Sequence, residues 1–491
     1  MASSLGMMPE SASPPSAIYL EGSVIRDRRI SRSRGVSTEA FEAEVAKFRE
    51  RTPGSARHLD RARRHAPYGV HSNYRSVDPY PLYVRRAAGA RIWDVDGNPY
   101  LDFAMGFGAL GTGHAHPRLV EALGDRIANG TMFGFEGEET ARLCEHLCKR
   151  FYTDRVKLSN TGLDATMFAV RFARHATGRG RILKFEGCYH GSHDALLASV
   201  KPTRKKAGDP KRPTVVPAST GLIPKAHDAT LVAPFNDLLA TESIAEAHGD
   251  DLAAIILEPI PMNMGFILPR HGFLEGLRKL CSRLGTVLIF DEVKTGGKFY
   301  GGAEEAFGVR PDLKVLSKAI GGGLPIAAVA GRSDILDAVE PGVISHAGTF
   351  NANPLSVAAA RVTLEEILTK EAMEDAAGLG EELGRGYRDI VADRSIPAHV
   401  QYRGISGTLA LAPEPVVDWR TFQNVDVGKW WGYYTAMLNR GIIPTGTGPD
   451  EQWTLSVQHT REDVQAHLEA FTDVAVLLPH FKADVPIVES V

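Results

Sequence analysis

Lys318 sits in "DLKVLSKAIGGGLPIAAVAG" (312–331), between an apolar run and three consecutive glycines. A buried ammonium costs free energy unless it is paired or neutralised. A site that lowers a lysine's pKa turns it into a nucleophile, which forms Schiff bases with carbonyls. Asp291 lies 27 positions earlier (318 − 291), at the end of the apolar run "VLIF". Tyr189 and His190 stand in "GCYHG", just after "ILKF". "SNTGLDATMFAVRFAR" turns from small polar residues into a helical pattern, so Thr161, Gly162 and Leu163 can aim backbone N–H groups at an anion. The carbonyl can be that of pyridoxal 5′-phosphate (PLP). That cofactor needs a lysine for its aldehyde, a carboxylate for its ring nitrogen, an aromatic neighbour and a phosphate cradle.

The elements that must position these residues form a repeating pattern. From about Gly113, helical segments such as "PRLVEALGDRIANG" alternate with the apolar runs "RILKFEG", "AAIILEPI", "GTVLIFDEV" and "AAVAG". Such alternation predicts an α/β fold with a mostly parallel sheet, whose ligands gather beyond the carboxyl ends of its strands. Glu258, Asp291 and "GCYHG" fall at those ends. Before them, "STEAFEAEVAKFRE" puts Phe41, Val45 and Phe48 on one helical face, and "ARIWDVDGNPYLDF" reads as a hairpin. The expected division is a flexible tail over 1–36 and an N-terminal segment of helices and hairpin over 37–112, belonging to a small domain. A large domain follows over 113–362, then a C-terminal small domain over 363–491.

Composition narrows the function class. The chain has 491 residues, 43% hydrophobic and 23% charged, with a net charge of −3. No strong attraction to nucleic acid or to a membrane surface follows from that balance, and no apolar run reaches the ~20 residues of a membrane span. Four cysteines at this length suit a reducing compartment, so a cytoplasmic location is expected. Cys144, His146 and Cys148 in "RLCEHLCKR" read as one helix whose histidine points away from the thiols, and no metal is expected.

The chain resembles the class III (ω-type) PLP-dependent aminotransferases of fold type I, and within them the branch containing glutamate-1-semialdehyde 2,1-aminomutase. The matching stretches include "WDVDGNPYLDF", "GTGHAHP", "KFEGCYHG", "EPIPMNMG", "LIFDEVKTG", "SKAIGGGLPIAAVAG" and "HAGTFNANPL", over roughly residues 67 to 365. The resemblance implies a large domain around a mostly parallel seven-stranded sheet, a smaller α+β domain, and a homodimer with shared active sites. It implies that Lys318 is the Schiff-base lysine and proton carrier, Asp291 the pyridinium partner, Tyr189 and Val293 the residues on the two ring faces. Asn263 is placed near the ring hydroxyl, and Thr349 at the phosphate of the neighbouring subunit's cofactor. His190 is expected as a hydrogen-bonded support among the cofactor contacts rather than a catalyst. Arg75, with Ser72 three positions before it, stands where the aminomutases clamp a substrate carboxylate, and Glu451 corresponds to an acidic substrate-site residue.

Departures from the family pattern cluster on the substrate side. Phe107 replaces a tryptophan, and the phosphate loop reads "NTGLDA" in place of Asn-Ser-Gly-Thr-Glu-Ala. A basic loop over 201–231 replaces a shorter one and is expected to be solvated, or to act as a lid for an acidic or phosphorylated substrate. The favoured reading is therefore an aminotransferase acting on small amino and keto or aldehyde substrates, acidic ones above all. The alternative is an aminomutase-like intramolecular transfer, or a PLP lyase or epimerase on the same scaffold. A non-catalytic scaffold is the third reading, and the pairing of Lys318 with Asp291 argues against it.

Overall fold

Seven strands cross the middle of the molecule in the order Arg155–Ser159, Ala327–Gly331, Leu313–Leu316, Val287–Asp291, Leu252–Leu257, Arg181–Phe185 and Thr230–Ala233. Ala327–Gly331 runs antiparallel to both neighbours, and every other pairing is parallel. The computed structural model describes residues 37–339 and 343–483; the tail expected over 1–36 lies outside the described residues. "LAAIIL" and "VLIFD" are buried along their whole length. Their continuous apolar runs follow from cover on both faces of a parallel sheet. One face is packed by the helix Gly162–Thr177 through Ala165, Phe168, Ala169 and Phe172. The other takes Leu274, Leu277 and Leu280 of Phe273–Leu284.

Two small sheets flank this one. Val84–Ala88, Arg91–Asp94 and Pro99–Asp102 form an antiparallel meander that contains the expected hairpin, and Ile442–Ile443 adds a parallel strand beside Pro99–Asp102. The turn is set by Asp94, whose Oδ1 accepts from the backbone N–H groups of Asp96 at 3.0 Å and Asn98 at 2.8 Å. His399–Arg403, Ser406–Ala410 and Trp453–Thr454 make the third sheet. The helix Glu39–Arg51 lies on Val427–Asn439, tied by Asn439 Nδ2 donating to Glu44 O at 2.8 Å and Arg51 Nη1 to Leu438 O at 3.0 Å. Its expected face shifts as a result. Phe48 and Glu44 are buried while Phe41 and Val45 are half-buried, because Asn439 and Lys47 satisfy the Glu44 carboxylate.

On the helix Glu138–Arg150, Leu143 and Leu147 face the core with Cys144 packed alongside, and all four cysteines are free thiols. The basic loop 201–231 is neither merely solvated nor detached. Lys201 pairs with Asp450 at 2.7 Å, Arg204 donates to Arg420 O at 2.7 Å, and Lys211 pairs with Asp237. Its cations at those three positions are engaged by the chain itself, which removes them as ready ligands for a substrate anion.

Candidate active site

Asp291 ends its strand opposite Val315, and the neighbouring strand runs on through Leu316 and Ser317 into Lys318. Sheet pairing alone therefore brings the two residues to one edge. Lys318 has φ +51°, a left-handed backbone that costs an L-residue about 1–2 kcal/mol. Strain of this kind persists where the surroundings hold a side chain to a task. Burial, then the nearby Lys294 cation, lower the Lys318 amine from 10.5 to about 8, against the pull of Glu451, Asp291 and Glu258. Among the described residues its Nζ makes no hydrogen bond or ion pair.

Asp291 is buried, and its Oδ2 accepts from His190 Nδ1 at 2.7 Å while Oδ1 accepts from Val293 N at 3.1 Å. The other ring nitrogen of His190 is buried without a partner. Glu258, at the end of the next strand, gathers the ring-side residues. Its Oε1 accepts from Tyr189 N at 2.9 Å, and its Oε2 accepts from Asn263 Nδ2 at 2.9 Å. Asn263 is thus held by a carboxylate that sequence reasoning noted only as a strand end. The Tyr189 ring is 38% exposed, with its hydroxyl 3.1 Å from Ser192 Oγ.

The loop expected to hold the phosphate opens the 16-residue helix Gly162–Thr177. Thr161 and Asp164 form a capping box: Asp164 N donates to Thr161 Oγ1 at 3.2 Å and Thr161 N to Asp164 Oδ2 at 3.1 Å. The shortened acid of "NTGLDA" is therefore a cap that fixes the turn. A Cβ on Gly162 would stand 2.9 Å from Val293 Cγ2, so glycine is what lets the loop close on the residue beside Asp291. Leu163 is 37% exposed. Thr349 is exposed too, in a segment joined to the loop by Asn160 Nδ2 donating to Asn351 Oδ1 at 2.9 Å.

The residues expected on the substrate side are placed by a turn that periodicity does not announce. Met105, Gly106, Phe107 and Gly108 all have positive φ, so four successive residues make one left-handed turn. The Phe107 ring meets Tyr74 edge-on at 4.8 Å, and Thr447 Oγ1 donates to Tyr74 O at 2.8 Å. The strip carrying Ser72 and Arg75 therefore lies along Phe107. Arg75 is exposed, with its guanidinium 5.7 Å from the Tyr74 ring centroid. Glu451 is buried and pairs with Lys294 at 2.9 Å, and Lys294 also donates to Met262 O at 2.8 Å. Lys294 and its neighbour Lys298 were missed by sequence reasoning. Their only signal is the spacing in "DEVKTGGK", directly after Asp291.

The sequence profile of the family described as "Aminotransferase class-III" matches residues 73–474. Glutamate-1-semialdehyde 2,1-aminomutase 2 of Brevibacillus brevis is 39% identical over 416 residues, 83% of this chain and 95% of that protein. An omega-transaminase from Sphaerobacter thermophilus superposes with a TM-score of 0.83 at 34% identity, over 88% of this chain and 99% of that one. A glutamate-1-semialdehyde aminomutase from Pseudomonas aeruginosa superposes with a TM-score of 0.81 at 30% identity, over 89% and 98%. The chain belongs to the class III aminotransferase family, PLP-dependent enzymes of fold type I.

Proposed function

We propose that this enzyme moves an amino group between an amino compound and a separate keto acid or aldehyde, with Lys318 as the residue that holds the PLP carbonyl. The observation that carries this reading is the partnerless amine of Lys318 at a strand end next to that of the buried Asp291. The residues fit the cofactor. The helix N-terminus at Thr161, Gly162 and Leu163 offers backbone donors for the phosphate, Asp291 offers an acceptor for the ring nitrogen, and His190 donates to Asp291 from behind and keeps it oriented. Tyr189 and Val293 bound the two ring faces in this reading, with Asn263 beside the ring hydroxyl. When bound, PLP supplies a sink for the electrons left on a substrate carbon that loses a proton. Lys318 Nζ, lowered toward neutrality, takes that proton and returns it. Ser72, Arg75, Phe107 and Glu451 make the substrate wall.

The same reading divides the chain into a large unit over 113–362 and a small one built from 37–112 and 363–491. It makes the enzyme a homodimer, since Leu163, Tyr189 and Thr349 are open on one side, where Thr349 of a second copy would complete the phosphate contacts. No described helix is long and apolar enough to cross a membrane, and four unpaired thiols favour a cytoplasmic setting.

Intramolecular transfer is the second reading, favoured by relatives named as aminomutases at 39% identity. Against it, Glu451 is already neutralised by Lys294 and is not free to receive a second ammonium on one substrate. Steady-state kinetics decide. Transfer between two compounds gives ping-pong behaviour and no turnover without an acceptor. Repeated conversion of a single amino aldehyde with no keto acid present would establish the second reading instead.

A further inference from the structure

Five lysines of this chain stand at the site or in the core, and four of them have a fixed relation to their surroundings. Lys318 is the reactive amine. Lys184 donates to the carbonyls of Cys188 at 2.8 Å and Ala198 at 2.5 Å. Lys314 meets Phe151 O at 2.5 Å and Glu304 at 2.6 Å, and Lys294 meets Met262 O and Glu451. Lys298 is different. Its side chain is 3% exposed, yet its one acceptor is the Thr454 hydroxyl at 2.8 Å. An ammonium carries three donors, and none of those of Lys298 meets a carboxylate.

The amine also lies on the substrate side. A Cβ built on Gly108 would stand 2.5 Å from Lys298 Nζ and 3.3 Å from the Gln452 amide, whose nitrogen is turned to Met262 O and Glu451, so Lys298 rests against the left-handed turn that carries Phe107. Gly446 packs Phe107 and Glu451 together on the same wall. We propose that Lys298, backed by Lys294, is an anion receptor inside the site, and that the amino substrate carries a carboxylate which docks on it. This deepens the aminotransferase reading and rests on it.

Charge balance supports the assignment. Glu451, already paired with Lys294, is the one carboxylate that acts on Lys298, and its other neighbours, Thr454 and Gln452, are neutral. Burial first, then the cations of Lys294 and Lys318, push the Lys298 amine well below the ordinary lysine range, with Glu451 pulling the other way. A bound carboxylate supplies the missing countercharge, so Lys298 takes up a proton as the anion enters.

Calorimetry on the holoenzyme tests this with glutarate as the dicarboxylate probe and pentanoate as its singly charged counterpart. Titrations in two buffers of different ionisation enthalpy read the protons taken up. Wild type should bind glutarate more tightly than pentanoate, with proton uptake. Lys298→Met should weaken glutarate by on the order of thirty-fold, the effect of removing one partner of a buried charge pair, and should abolish the uptake. Lys298→Arg should retain glutarate affinity without uptake, because a guanidinium stays charged; this arm decides if the methionine variant does not fold. Unchanged glutarate affinity in Lys298→Met, or unchanged uptake in Lys298→Arg, would overturn the receptor. An enzyme that transfers amino groups yet fails these titrations loses the receptor alone. One that gives no half-reaction with any amine loses the aminotransferase reading.

Discussion

Lys318 owes its lowered amine to burial and its neighbours, so its behaviour with pH is open to measurement. Its amine, lowered to about 8, is protonated below that value and free above it. Capture of added PLP by the apoenzyme, followed by absorbance, should speed up as pH rises through about 8. Lys294→Met removes the largest cationic contribution to the lowering, so the midpoint of that profile should move upward. A midpoint that stays put would assign the shift to burial alone. Asp291→Asn strips the charge that His190 supports. Proton removal from the substrate should slow by about 100- to 1000-fold, the usual loss when a preorganised electrostatic partner is deleted, with a smaller change in PLP affinity. Single-turnover absorbance separates the two effects. The placing of Lys318, Asp291, Tyr189 and His190 at strand ends was readable in the sequence because each is a polar or aromatic break just past an apolar run. Lys294 and Lys298 were not. Their partners Glu451 and Thr454 lie 157 and 156 positions away, and a lysine with no visible partner reads as surface.

Parallel strands such as "AAIILEPI" and "GTVLIFDEV" were legible as elements because cover on both faces makes them uniformly apolar. Direction was not legible: "AAVAG" carries the same pattern as its parallel companions, yet Ala327–Gly331 runs the other way. The edge strand Arg155–Ser159 was missed because its mixed "RVKLS" serves one partner only. The turn at Met105–Gly108 escapes any periodicity argument, since its form depends on backbone dihedrals. Two of its four residues, Met105 and Phe107, each carry a left-handed cost of about 1–2 kcal/mol. The phosphate turn can be tested through its glycine. In Gly162→Ala the new methyl meets Val293 Cγ2 at 2.9 Å, so the loop or Val293 must shift. The PLP dissociation constant should rise at least tenfold, on the order of 1.4 kcal/mol, while the melting temperature of the apoenzyme changes little. Equal losses in both would mean that the glycine serves packing rather than the cradle.

Phe350, 62% exposed and next to Thr349, suits burial against a second copy. If Thr349 completes the partner's phosphate site, cofactor binding and assembly are linked, and removing PLP should weaken the dimer. Light scattering of holo- and apoenzyme over a dilution series checks this; a fully active monomer would contradict it. The two small sheets set the order of events at synthesis. Ile442 pairs with Leu101, and Thr454 N donates to Phe103 O at 2.7 Å, so Phe103 leaves the ribosome 351 residues (454 − 103) before that partner is made. At 5–20 residues per second the gap lasts roughly 20 to 70 s. Throughout it the aromatic side of the early meander, with Tyr100 and Phe103, has no Trp430, Tyr433 or Trp453 to close over it. The central sheet, contained within 155–331, can assemble while the meander waits, and a nascent chain stalled near residue 420 offers a chaperone that apolar strip together with Leu383, Tyr387 and Leu409 of the same core.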